Sequence, residues 1–85
     1  IGDVVVRIFS PKDGDSLQVA DILRSEGFGV TIISGEGRDG EVSIAWCVAP
    51  RKKVKQVLKI VSTINPDAYV TTESTSPINL TSNRK

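Results

Sequence analysis

The sequence predicts an α+β domain with the element order βαββαβ. Four short segments rich in β-branched residues are interrupted by two segments of helical periodicity, and glycine or proline residues stand at the junctions. One helical segment follows the first β segment and the other precedes the last, so the two middle β segments form a hairpin. The 85 residues suffice for one domain with a small core.

The first β segment and the first helix are separated by a turn. Residues 4–9 are a β-branched run, and Ser10-Pro11 ends it. Asp15 or Ser16 can cap a helix that runs to about Glu26, and Gly27 suits the left-handed position after its end. The apolar residues of this helix recur on one face: Val19, Ala20 and Leu23, with Ile22 beside them.

The middle of the chain predicts two strands joined by a glycine-rich loop. Residues 29–34 form the second strand, residues 35–40 the loop, and residues 41–49 the third strand. The third strand alternates strictly. Its larger apolar residues fall on one side and its small ones on the other: Val42, Ile44, Trp46 and Val48 against Ser43, Ala45, Cys47 and Ala49.

The last part of the chain predicts a helix, a short strand and a tail. Pro50 opens a helix that runs to about Ile64, and its apolar stripe follows the spacing i, i+3, i+4, i+7: Val54, Val57, Leu58, Val61 and Ile64. Asn65-Pro66-Asp67 ends the helix, and residues 68–72 form the last strand. We expect a folded domain over residues 1–73 and a disordered polar tail over residues 74–85.

This order is the ferredoxin-like pattern, a four-stranded antiparallel sheet with both helices on one face. We expect the helices to cover a sheet core made of Val4, Val6, Ile8, Val30, Ile32, Val42, Ile44, Trp46 and Val48. The opposite face would then be uncovered yet apolar, with Val5, Phe9, Ile33, Ala45, Cys47 and Tyr69. An apolar patch of this kind is typical of an interface. The sequence therefore predicts a homo-oligomer whose contact is formed by Val5, Phe9, Ile33, Ala45 and Tyr69. The alternative is a sheet with one face exposed to solvent that tolerates scattered apolar residues.

Composition argues against catalysis. The chain has no histidine, the usual general base and metal ligand, and its single cysteine, Cys47, lies in the middle of a strand. We expect no catalytic residue, no metal site, no cofactor and no enzyme activity. The formal net charge of +1 says nothing about polyanionic partners. Because the third strand would present small residues outward, where RNA-binding sheets present aromatic ones, we expect no nucleic acid as a partner.

Two segments are candidates for binding a small anion such as a nucleotide. The loop residues Gly35, Gly37, Arg38 and Gly40 match the spacing G-x-G-x-x-G, but the loop joins two strands, so no helix dipole supports a dinucleotide. A hairpin that needs glycine is the alternative. Arg51, Lys52 and Lys53 stand at the start of the second helix, where the dipole disfavours cations, so this cluster either serves an anionic partner or is a solvated helix face.

Several stretches together resemble a known group of proteins. They are residues 1–7, 27–31, 35–40 and 64–70, with the basic junction at 50–53. The chain resembles the soluble C-terminal domain of uncharacterised bacterial YitT-like membrane proteins and of a related family with fewer membrane helices. The resemblance implies a domain on the cytoplasmic side of the membrane, attached through a missing N-terminal segment. The layout is also similar to PII-like signalling proteins, whose βαββαβ subunits bind ligands between subunits.

Two functions follow as expectations. The first is a regulatory domain that senses a small anionic ligand near residues 35–40, with Arg38 and the cluster at 51–53 as contacts. The second is an assembly domain that oligomerises its membrane protein through the open sheet face and binds no ligand. In a third interpretation the basic cluster lies against anionic lipids.

Overall fold

A computed structural model describes residues 2–76 and 78, and it has the predicted element order. The four strands pair antiparallel in the order β2-β3-β1-β4, as in a ferredoxin-like fold. Both helices pack on one face of this sheet. The elements are β1 (Asp3–Pro11), α1 (Ser16–Ser25), β2 (Gly29–Gly37), β3 (Gly40–Pro50), a 3₁₀ turn (Arg51–Lys53), α2 (Val54–Ile64) and β4 (Tyr69–Thr75).

The boundaries differ from the predicted ones mainly at the strands. β2 and β3 extend into the glycine segment, so the predicted six-residue loop is a tight turn at Arg38 and Asp39. β4 continues to Thr75, opposite Asp3 of β1, and residues 74 and 75 therefore belong to the fold and not to a tail. The rest of the predicted tail, apart from residues 76 and 78, lies outside the described residues.

The helices cover the centre of the sheet with a small set of apolar side chains. On α1 the predicted face is confirmed: Val19, Ala20 and Leu23 are buried. On α2, Val57 and Val61 of the predicted stripe are buried. Leu58 is not part of the core, since it is 36% exposed, and Ile60 packs against the core instead. Ser16, at the start of α1, is buried because its hydroxyl donates to the carbonyl oxygen of Ser43 on β3 at 3.2 Å.

The prediction for the two faces of β3 is wrong. Ala45, Cys47 and Ala49 lie under the helices, each no more than 1% exposed, opposite Ile8, Val6 and Val4 of β1. The larger side chains, Val42, Ile44, Trp46 and Val48, point to the other face. The physical reason is space. β1 fills the centre of the core with Val and Ile, so the neighbouring strand can present only small side chains where Leu23 and Val57 approach.

Candidate functional site

The face of the sheet opposite the helices, called the open face below, carries most of the bulky side chains of the strands. Four of the five residues predicted to form an interface lie on it, and the fifth, Ala45, lies in the core. Ile33 and Val48 are 39% and 38% exposed and Tyr69 is 67% exposed, while Val5 is buried. The open face comprises Val5, Arg7, Phe9, Thr31, Ile33, Val42, Ile44, Trp46, Val48, Tyr69, Thr71 and Glu73.

Among the described residues, a single cation, Arg7, lies at the centre of this face. Its guanidinium stacks over the ring of Trp46, with 4.6 Å between the guanidinium carbon and the ring centre. On its other side it forms an ion pair with Glu73 and donates a hydrogen bond of 3.5 Å to Thr71. The charge of Arg7 is thus matched by a carboxylate of the same face, and only 21% of its side chain is exposed.

Aromatic rings lie next to this ion pair. Phe9 contacts Tyr69 on β4, with 5.3 Å between ring centres and a tilted arrangement. With Trp46, they give the sheet an aromatic face, so the reason for expecting no nucleic-acid partner was wrong: it assumed the opposite face of β3. Arg7, the one cation of this face within the described part of the chain, is neutralised by Glu73, however, and a phosphate backbone requires surplus positive charge.

The glycine segment forms a hairpin whose geometry is defined by Gly37 and Gly40. These two residues pair with each other, and Arg38 and Asp39 make the turn with negative φ angles. Gly40 has φ of +126°, which disfavours any other residue. Gly35 lies within β2, where successive backbone N–H groups point to opposite sides and cannot converge on one anion. The alternative interpretation of the segment, a hairpin that needs glycine, fits this geometry.

The basic cluster lies at the other end of the sheet. Arg51, Lys52 and Lys53 form the exposed 3₁₀ turn between β3 and α2, so they precede the first turn of the helix proper. The backbone N–H of Arg51 donates to the carbonyl oxygen of Gly2 at 3.2 Å, and its side chain donates to the hydroxyl of Ser74 at 2.8 Å. A cleft of about 380 Å³ lies beside these residues, lined by Gly2, Asp3, Pro50, Arg51 and Lys52.

The structure does not bring the two predicted anion-binding segments together within one subunit. Arg38 precedes the first residue of β3 and Arg51 follows the last. At about 3.3 Å per interval, the ten intervals between the first and last residues of the 11-residue strand separate them by roughly 33 Å. The surroundings of Arg38 are also acidic, with Glu36, Asp39 and Glu41 near it. A small anion held jointly by Arg38 and the cluster at 51–53 would require two subunits.

Cys47 has the environment of a core residue. Its side chain is fully buried opposite Val6, and burial raises the pKa of its thiol above the ordinary value of 9.0. A thiol of this kind is protonated and inert at neutral pH. Within residues 2–76 and 78, no three histidine, cysteine or acidic side chains come together as a metal site.

The residues that sequence reasoning missed are Arg7, Trp46 and Glu73. A signal for Arg7 was present, because it is the only charged residue in an otherwise apolar β-branched run. Its partners could not be identified from sequence, since Trp46 and Glu73 become its neighbours only through the pairing of β1 with β3 and β4.

Comparison with known proteins places this fold in a family. The model of the family described as "Uncharacterized protein conserved in bacteria (DUF2179)" matches residues 28–79, more than half of the chain. The chain belongs to the DUF2179 family. A UPF0316 protein of Leptospira interrogans is 40% identical over 81 residues, and one of Oleidesulfovibrio alaskensis is 37% identical over 70. The matches cover 95% and 82% of this chain but only 40% of each relative, so the chain spans about two fifths of their length.

Solved structures of this family and of related shape confirm the fold. A DUF2179 protein from Eubacterium ventriosum superposes with a TM-score of 0.71 at 22% identity, covering 86% of this chain and all of that one. A functionally unknown protein from Pediococcus pentosaceus gives a TM-score of 0.75 at 14% identity over 91% of this chain and 94% of its own. No helix among the described residues of the DUF2179 domain is long and apolar enough to cross a membrane.

Proposed function

We propose that this DUF2179 domain is a non-catalytic assembly module on the cytoplasmic side of a bacterial membrane protein, where it associates with a second copy of itself through the open face. The membrane attachment draws on the resemblance to YitT-like proteins and on the length of the relatives, three fifths of which lies outside the match. The single observation that carries the assembly role is an apolar face of the sheet that no described element covers.

The chemistry of the open face favours a second copy as the occupant. Over residues 2–76 and 78, the charges of this face form one ion pair, between Arg7 and Glu73, so the partner needs no complementary charge. The remaining side chains are apolar or aromatic on β1 and β3 and offer a surface that can meet its own copy across a two-fold axis. Ile33 and Val48, both more than a third exposed, would lose water on contact.

The size of the open face predicts a weak contact. Four strands about 4.8 Å apart and about 20–25 Å long give a flat area of roughly 400–500 Å². Stable interfaces bury about 800 Å² per partner. We therefore expect the isolated domain to dimerise only at high concentration, and the remainder of the longer protein to hold the copies together by raising their effective concentration.

Sedimentation velocity over a range of concentrations tests the assembly role. We expect the isolated domain to sediment as a monomer at low concentration and to shift toward a dimer as concentration rises. Ile33→Lys places a charge on the open face and abolishes the shift. Leu17→Lys is the matched control, because Leu17 is 69% exposed on α1, away from the open face. A wild-type domain that stays monomeric at every concentration, or a dimer lost equally in both variants, contradicts the proposal.

Membrane attachment is tested separately in cells. The full-length relative from Leptospira interrogans is expressed with a tag at the end of its DUF2179 region, and membranes are separated from the soluble fraction. We expect to find the tag in the membrane fraction. Protease added to cells should cleave it only after the membrane is broken and the cytoplasmic side becomes accessible. Recovery of the tag in the soluble fraction contradicts the membrane attachment. It does not affect the assembly role, which the sedimentation experiment tests independently.

A second candidate function is the sensing of a small anionic ligand such as a nucleotide. The observation that favours it is the cleft beside Arg51 and Lys52. A ligand that binds the folded state raises the melting temperature. We expect one or more members of a nucleotide panel to stabilise the domain, and Lys52→Glu to remove that stabilisation. A panel without any effect contradicts this second candidate, and the assembly role does not depend on it.

A further inference from the structure

The two ends of the sheet carry opposite charge, although the net charge of the chain is only +1. The acidic end, where β1 ends and β3 begins, has six carboxylates against two cations. Among the described residues, the basic end, where β1 begins and β3 ends, has five cations against two carboxylates, not counting Glu73, which is paired with Arg7. The acidic end contains Asp13, Asp15, Glu36, Asp39, Glu41 and Asp67 with Lys12 and Arg38; the basic end contains Arg24, Arg51, Lys52, Lys53 and Lys55 with Asp3 and Glu26.

Three of the cations at the basic end are exposed to solvent. Lys52, Lys53 and Lys55 are exposed and make no ion pair with any described residue. They surround the beginning of α2, where the positive end of the helix dipole adds to their charge instead of offsetting it. The fold would be more stable with these lysines away from this end of α2, so their placement favours an external anionic partner.

The start of the described chain lies at this same end. Gly2 accepts a hydrogen bond from the backbone N–H of Arg51, 49 residues further along the chain. Any segment that precedes the domain therefore leaves it beside the cations of the basic end. The acidic end lies at the far end of the strands, roughly 33 Å away, at about 3.3 Å per residue of β3.

We propose that the basic end rests against a membrane surface of anionic lipid headgroups and holds the domain upright, with its strands perpendicular to that surface. The proposal builds on the membrane attachment proposed above and adds the orientation of the domain and the lipid class that it contacts. An upright domain keeps its acidic end several Debye lengths from the headgroups, because this length is about 8 Å at physiological salt. The open face then stands perpendicular to the membrane, free to meet a neighbouring copy in the same plane.

A membrane fits this surface better than a nucleic acid does. A polyanion that lies along the strands would pass from the basic end to the repulsive acidic end, whereas a flat membrane contacts one end alone. Single-stranded nucleic acids also need aromatic side chains for stacking. The exposed ring nearest to an end of the sheet is that of Tyr69, which with Phe9 lies at the acidic end.

Binding of the isolated domain to lipid vesicles tests this inference. Vesicles of phosphatidylcholine with phosphatidylglycerol are compared with pure phosphatidylcholine vesicles at low salt and in excess lipid. We expect sedimentation with the anionic vesicles alone and release as salt is raised. Each cation near an anionic surface contributes about fivefold to partitioning. The double substitution Lys52→Glu and Lys53→Glu should therefore lower partitioning by more than about 25-fold.

The matched control changes the same amount of charge at the acidic end. The double substitution Lys12→Glu and Arg38→Glu should leave partitioning within about twofold of wild type, since screening weakens charges far from the surface. Equal loss in both double variants would show that only net charge matters and would overturn the orientation. Equal binding to neutral vesicles, or tighter binding to single-stranded RNA than to anionic vesicles at the same salt, would overturn the lipid surface. Stabilisation by a nucleotide without vesicle binding would do the same.

Discussion

The guanidinium carbon of Arg7 lies 4.6 Å from the centre of the Trp46 ring on the side of the sheet that the helices leave uncovered. The two residues are direct cross-strand partners on β1 and β3. Glu73 on β4 reaches the same guanidinium from the opposite side. Three strands are thereby connected through the side chain of Arg7, whose charge is neutralised and partly dehydrated.

The first prediction concerns the coupling between Arg7 and Trp46. In a double-mutant cycle with Arg7→Ala and Trp46→Leu, measured by urea unfolding, we expect a coupling of about 0.5–1 kcal/mol, the range for cation–π contacts near a surface. The control cycle pairs Arg24→Ala with Trp46→Leu, because Arg24 interacts with Asp21 and Val30 instead. Additive effects in the first cycle, or equal coupling in both, contradict a specific contact.

The second prediction tests which face of β3 is buried. Ala45 is fully buried beneath the helices, so Ala45→Leu overpacks the core and should lower the free energy of unfolding by about 1–3 kcal/mol. Val48→Leu, on the same strand but 38% exposed, should change it by less than about 0.5 kcal/mol. The reverse order of the two effects would support the orientation of β3 first expected from its sequence.

The third prediction concerns the hairpin turn. Gly40 has φ of +126°, a conformation that is strained for any L side chain, so Gly40→Ala should cost about 1–3 kcal/mol of folding free energy. Gly29→Ala is the matched control, since Gly29 lacks a positive φ and an added Cβ would meet no atom within 4 Å. Thermal unfolding of both variants measures the difference. Equal melting temperatures would mean that the turn tolerates a side chain at Gly40.

The fourth prediction is a pH dependence caused by Cys47. Burial raises the pKa of this thiol in the folded state, so above about pH 9 the unfolded chain loses its proton first. The folded state then binds more protons than the unfolded state, and stability falls as the pH rises through this range. Urea unfolding of wild type and Cys47→Ala between about pH 8 and pH 10.5 isolates the effect. The free energy of unfolding of the wild type should exceed that of Cys47→Ala by less as the pH rises. A difference that stays constant with pH would contradict the prediction.

Local sequence patterns were sufficient to predict the elements of this fold. Proline and glycine positions separate the segments, and the spacing of Val57 and Val61 predicts the buried stripe of α2. These signals are local, since they depend on backbone preferences and on periodicity within one segment. The element order then restricts the topology to a few arrangements, of which the ferredoxin-like sheet is the observed one.

The face of β3 could not be obtained in the same way. Alternation separates Trp46 from Cys47 but does not say which of them faces the helices, because the strand is apolar on both sides. Hydrophobicity favours Trp46 in the core, yet the space between β1 and the helices admits only small residues there. This volume depends on side chains from four elements and is not a property of the strand.

The glycine segment and the basic cluster, the two candidate anion-binding segments, show the same division. The sequence by itself determined their residues, and it also determined the order of elements around them. Only the tertiary structure decided that the two segments lie at opposite ends of β3, that Arg51 meets Gly2, and that Arg7 is neutralised by Glu73. The physical reason is that element order follows from local backbone preferences, whereas charge polarity and partner contacts follow from distances between residues far apart in the chain.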